Sequence, residues 1–184
     1  MIFVNSMSDL FHKEIPTDYI TKVFETMEKA DWHTYQVLTK RSSLLQKFVN
    51  ERYRSVEAPG HIWFGVSIES DSVTSRIAHL QRSNAAVRFL SIEPLLGPIA
   101  ALNLENIDWV ILGGESGPRA RVMDPQWAID VRDQCIEANV PFFFKQWGGR
   151  TPKAGGRLLG GREWNQFPVP IPFSKLHSDS AMAG

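Results

Sequence analysis

The sequence carries one cysteine in 184 residues. A lone thiol excludes an internal disulfide, and it cannot hold a zinc ion or an iron–sulfur cluster by thiolates alone. No run approaches the roughly 20 apolar residues of a membrane span, and no basic-then-apolar leader opens the chain. The expectation is a cytoplasmic protein without a membrane partner. Charge of one sign is also missing, because 20 Lys+Arg balance 20 Asp+Glu. That argues against a surface built for generic phosphate binding, while leaving a local basic patch open. The spacing G-x-G-x-x-G follows none of the apolar runs, which argues against a dinucleotide fold. The histidines, at 12, 33, 61, 79 and 177, lack ligand spacing, so no metal site is expected from them.

What is present is a core-forming chain. Apolar residues make up 43%, with 11 Phe and 6 Trp, which excludes wholesale disorder. Six short β-type runs stand out, at 2–5, 34–39, 61–67, 87–92, 109–112 and 140–145. Most are continuously apolar rather than alternating, as expected of strands buried on both faces of a parallel sheet. Helical spacing separates them: Tyr19, Ile20, Val23, Phe24 and Met27; Leu44, Leu45, Phe48 and Val49; Val73, Ile77 and Leu80; Trp127, Val131 and Cys135. Asp124-Pro125 marks a helix start, and Asp71 stands just before the third pattern. Between 92 and 109, a proline-containing link predicts only a turn or so of helix.

The repeat is therefore strand–helix–strand. It allows an open doubly wound sheet or a partial barrel, and an eight-stranded barrel normally needs about 250 residues. Residues 1–147 read as the βα domain. Residues 148–173, rich in Gly and Pro, read as an ordered loop or tail, and 174–184 as a disordered end. The run at 2–5 has nothing before it to cover its outer edge, a liability for an apolar strand. The expectation is that an N-terminal unit of the fold is absent.

In parallel βα folds, ligands bind beyond the carboxyl ends of the strands. The residues there are Asn5, Ser6 and Asp9; Thr39, Lys40 and Arg41; Ser67 and Glu69; Ser91 and Glu93; Gly113, Gly114, Glu115 and Ser116; Lys145, Gln146 and Trp147. On a curved sheet, Glu69, Glu93 and Glu115 would converge with Lys40, Arg41 and Lys145. Such a set suits the two ends of a small zwitterion, or acid–base chemistry. Asp9, Lys40, Arg41, Lys145 and Gln146 are the candidate substrate contacts. The Gly-Gly-Glu-Ser-Gly-Pro segment from 113 lets backbone N–H groups approach an anion, with Arg119 and Arg121 nearby. Arg119, Arg121, Arg150, Lys153, Arg157 and Arg162 make the C-terminal third locally basic, so nucleic-acid binding stays open. Cys135 lies on the apolar stripe of its helix and reads as a buried structural thiol. Trp63, Trp109 and residues 142–144 read as core. Trp147 and Trp164, in loops, leave a lid or interface role open.

Several ordered strings carry a resemblance: FVNSMSDLFH from 3, VLTKR from 37, WFGVSIE from 63, RFLSIEPLLGPI from 88, WVILGGESGPRAR from 109, FFFKQWGG from 142 and GRLLGGREWNQFP from 156. Together they resemble the phage gene-product 37/68 family, a domain of unknown function, over residues 2 to 168. That family is similar to radical S-adenosylmethionine (SAM) enzymes. The resemblance implies an α/β fold, an incomplete parallel βα barrel of TIM type with about six strands. It also implies SAM and a 4Fe-4S cluster, held by three N-terminal cysteines, for the complete family protein. By that analogy Asn5, Ser6, Ser67, Glu69, Ser91, Glu93, Gly113, Gly114 and Glu115 would line the SAM pocket. This sequence has no such cysteine triad, so it is expected to hold no cofactor alone and to be catalytically incompetent alone. A truncated reading frame, an internal start and one part of a split protein are the open origins. The competing functions are a partner-binding module and a metal-independent enzyme using the strand-end carboxylates.

Overall fold

A computed structural model describes residues 1–4, 8–151 and 153–168. Six strands form one all-parallel sheet in the order β1 to β6: β1 (Ile2–Val4), β2 (Tyr35–Thr39), β3 (Ile62–Ser67), β4 (Val87–Ile92), β5 (Trp109–Gly113) and β6 (Phe142–Gln146). Helices α1 (Thr17–Lys29), α2 (Ser42–Arg52), α3 (Ser75–Gln81) and α4 (Pro125–Glu137) follow β1, β2, β3 and β5. The sheet curls into a half-barrel, so the incomplete-barrel expectation holds. Among the described residues, no helix is long and apolar enough to cross a membrane.

The continuous apolar runs have a simple cause. One set of strand side chains packs under the helices: Val37, Phe64, Val66, Leu90, Ile92, Val110, Leu112, Phe142 and Phe144 meet Phe24, Leu45, Val49, Leu80, Val131 and Cys135. The alternate set, Trp63, Val87, Phe89, Trp109 and Ile111, forms a second buried cluster on the other, concave face. With both faces apolar, strict alternation is lost.

Local signals act as expected at α4, where the Asp124 carboxylate accepts the Gln126 N–H at 2.8 Å and Pro125 opens the first turn. Two readings need correction. The link from β4 to β5 contains no helix, because its backbone is tied outward: the Leu95 N–H donates to Gly113 O and the Leu96 N–H to Glu69 O. Asp71 does not start α3. It opens a separate 3-10 turn, Asp71–Val73, and the helix begins at Ser75.

The two sheet edges differ. The C-terminal segment runs antiparallel along β6: the Phe144 N–H donates to Trp164 O at 2.9 Å, and the Gln166 N–H to Phe142 O at 3.2 Å. Trp164 is buried there, so its lid or interface role is replaced by a packing one. Among the described residues, no strand lies on the outer side of β1, and Ile2 and Phe3 remain 41% and 42% exposed. The expected disordered end at 174–184, and 169–173, lie outside the described residues.

Candidate functional site

The strand ends carry a series of ion pairs. After β1, Asp9 accepts hydrogen bonds from the Thr39 hydroxyl at 2.7 Å and from Arg41 at 2.6 Å. It also takes the N–H groups of Phe11 and Lys40. Burial opposes its charge, but these donors, Thr39 foremost, hold the carboxyl below the ordinary range. Asp9 thereby pins the turn from β2 into α2.

Glu69, past β3, pairs with Lys40 from the β2 end and with Arg76, whose Nη1 lies 2.8 Å away. Arg76 also donates to Ser67 O at 2.6 Å. Burial again works against ionisation, and the two cations overcome it, so Glu69 stays below its usual range. Arg76 is a site residue that strand-end reasoning missed. It sits in the first turn of α3, and its only sequence signal is its place shortly after Glu69.

At β4, Glu93 accepts both 2.9 Å hydrogen bonds of Lys145 Nζ and one of 2.7 Å from Gln146 Nε2. Both partners end β6, two strands away. The pairing crosses over Gly113 on β5, where a Cβ would stand 3.3 Å from the Glu93 carboxyl carbon. A side chain there would push the pair apart. Gly114 prolongs the β5–β6 ladder by donating its N–H to Gln146 O. Ser67 and Ser91 stand in register on neighbouring strands, buried on the concave face. Glu115 turns to its own loop: Arg121 binds it through Nε at 2.8 Å and Nη2 at 2.9 Å, which lowers the carboxyl to about 2. Trp147 packs edge-on against Phe144. Asn5 and Ser6 lie outside the described residues.

The rim thus gathers Asp9, Lys40, Arg41, Glu69, Glu93, Lys145 and Gln146, with Glu115 engaged at its outer side. Its charges are of both signs and paired with one another, and the concave face of the same sheet carries the buried cluster of Trp63, Phe89, Trp109 and Ile111. Such a surface can hold a small molecule bearing both an ammonium and a carboxylate. No cluster of three metal-ligating side chains occurs among the described residues. Cys135 is buried in α4 against the helix side of the sheet, and burial pushes its thiol up to about 12. It is therefore neither a thiolate nor near the rim.

The fold and rim define a parallel βα half-barrel with its polar side chains at the strand ends. A family model described as a protein of unknown function (DUF5131) matches residues 1–168. The chain belongs to that family. No curated protein and no solved structure matches it.

Proposed function

We propose that this chain is the ligand-facing part of a radical-SAM-like enzyme of phage type, working in the cytoplasm, and that its rim binds S-adenosylmethionine. The observation that carries the reading is the set of paired charges of both signs at the strand ends of a sheet whose concave face is apolar. The amino-acid end would bind by exchange within these pairs, its ammonium replacing a cation on Glu69 or Glu93 and its carboxylate taking the cation so released, Lys40, Arg76 or Lys145. The concave wall would shield the less polar remainder from water. On reductive cleavage SAM supplies a carbon radical. The residues present do not fit the 4Fe-4S cluster, since three thiolates are needed and Cys135 is unsuited. The chain alone is therefore proposed to bind without turnover, the cluster depending on thiolates from a joined segment or partner.

Equilibrium dialysis with SAM tests this. Saturable binding that weakens at least tenfold in Glu93→Gln is the expected result. The reading fails if SAM does not bind, either to the chain or to a fusion carrying three cysteines and reconstituted anaerobically with iron and sulfide.

A second reading, a partner-binding module, is favoured by the β1 edge, on whose outer side no described strand pairs. The Ile2 N–H donates to Thr34 O at 2.7 Å, so parallel-ladder alternation turns the N–H and C=O of Phe3 outward, where another strand can pair. Light scattering that shows a strict monomer at high concentration would sink it. The acid–base alternative has less support. Asp9, Glu69 and Glu115 are all held below the ordinary range, which makes them weak bases at neutral pH.

A further inference from the structure

We infer that the loops prolonging β5 and β6 form a phosphate-binding platform, with Arg119, Arg150 and Lys153 as its cations, for a small substrate that carries a phosphate group. The inference rests on the proposed function only in taking the carboxyl-end rim as the ligand side.

The two loops run side by side beyond the sheet. The Gly149 N–H donates to Glu115 O at 2.8 Å, the Gly117 N–H to Gly149 O at 2.9 Å, and Ser116 bridges Gly149 in parallel. Arg119 follows Gly117 by two residues on one loop, and Arg150 and Lys153 follow Gly149 on the other, so all three branch from backbone close to these bonds. The packing underneath is tight. A Cβ at Gly114 would strike Trp147 O, one at Gly148 would strike Glu115 O, and one at Gly155 would strike the Trp147 side chain. The glycines let the two loop backbones close on each other. Beside them, Gly117 and Gly156 have positive φ and no atom within 4 Å of a built Cβ, so the space there is open.

Charge makes the argument specific. Every rim carboxylate already has its cation: Arg41 on Asp9, Lys40 and Arg76 on Glu69, Lys145 on Glu93, Arg121 on Glu115. Two further basic residues hold the C-terminal segment: Arg157 donates to Asn165 at 2.5 Å, and Arg162 lies over the Trp164 ring. Arg119, Arg150 and Lys153 are exposed and have no carboxylate partner among the described residues. In a chain of zero net charge, three cations without a carboxylate partner on two adjoining loops are a local feature rather than a general basic coat. Guanidinium forks and an ammonium suit phosphate oxygens. Three cations match the charge of one or two phosphates rather than a polyanion track, which favours a small ligand over nucleic acid.

The test titrates the full chain at low salt with inorganic pyrophosphate, a mononucleotide and a short single-stranded oligonucleotide. Pyrophosphate and the mononucleotide should bind saturably. The triple variant Arg119→Gln, Arg150→Gln, Lys153→Gln should weaken both at least tenfold while melting as the parent does. Arg54→Gln, an exposed charge-matched change between α2 and β3, should leave both within twofold. SAM binding by the triple variant should also stay within twofold, which separates this idea from the cofactor reading. The platform is overturned by absent binding of both small probes, by equal loss in Arg54→Gln, or by binding confined to the oligonucleotide with a steep salt dependence.

Discussion

Gly65 on β3 stands in register with Phe89 on β4, and the Phe89 ring lies flat across the space a Gly65 side chain would fill. A Cβ there would meet three ring carbons closer than atoms can approach. The glycine thus lets a fully buried aromatic ring close the centre of the concave wall. Gly65→Ala should cost about 1–3 kcal/mol through overpacking, and Phe89→Ala about 3–5 kcal/mol through the cavity left. Urea unfolding reads both. A Gly65→Ala midpoint equal to the parent's would show that the ring moves aside freely.

Glu28 clamps α1 to α2. Its carboxylate takes Arg52 Nε at 2.7 Å, Arg52 Nη2 at 2.6 Å and the Tyr53 hydroxyl at 2.6 Å. Burial opposes the charge, but these hydrogen bonds, Arg52 first, hold the carboxyl below 4.5. A lowered folded-state value means the stabilisation is complete above the unfolded value and fades as pH falls through the folded one. Melting temperature should therefore drop as pH decreases below about 4.5, and drop less in Glu28→Gln. That variant should lose about 1–3 kcal/mol at neutral pH. Parallel pH curves for the two proteins would remove Glu28 from the account.

Asp108 shows the opposite sign. Burial raises its carboxyl above 3.8, although the Arg88 N–H donates to it at 2.7 Å. The folded state therefore binds this proton more tightly than the unfolded chain does, and stability is lost as pH rises from the unfolded value through the folded one. Asp108→Asn keeps an acceptor for Arg88 without the titration. It should be more stable than the parent at neutral pH and nearly equal to it near pH 4. Chemical denaturation at both pH values decides, and a variant weaker at neutral pH would refute the burial argument.

These two carboxylates also mark what a linear reading can reach. Continuous apolar runs located every strand to within two residues, because a strand buried on both faces has no other way to be written. The strand-end rule then found Asp9, Glu69, Glu93 and Lys145. It could not pair them: Lys145 follows Glu93 by 52 residues, and only the curl of the sheet brings them together. Arg76 escaped because a helical arginine looks solvent-facing until the strand it reaches over is known. The 3-10 turn at Asp71–Val73 escaped because it depends on a short-range bond, Thr74 Oγ1 to Asp71 O at 2.9 Å, that competes with helix. The cover over β6 escaped for a different reason. It is made by backbone groups of Trp164 and Gln166 in a stretch whose glycines and prolines carry no period.

That cover supplies the last prediction. Trp164 is held on several sides: its indole N–H donates to Leu159 O at 3.0 Å, its ring meets Phe142 edge-on at 5.8 Å, and Arg162 and Arg132 lie 3.6 and 5.5 Å from the ring centre. Cation–π contact and burial together fasten the segment that satisfies the β6 edge. Trp164→Ala should cost about 3–5 kcal/mol and free that edge, so that size-exclusion chromatography shows self-association by strand pairing. Trp164→Phe keeps the ring without the indole hydrogen bond, and should lose about 1 kcal/mol while staying at the parent's elution volume. If Trp164→Ala lost stability yet eluted with the parent, the segment would be shown to hold β6 without Trp164, and its anchor would have to be the Gln166 hydrogen bonds to Phe142 and Trp109 instead.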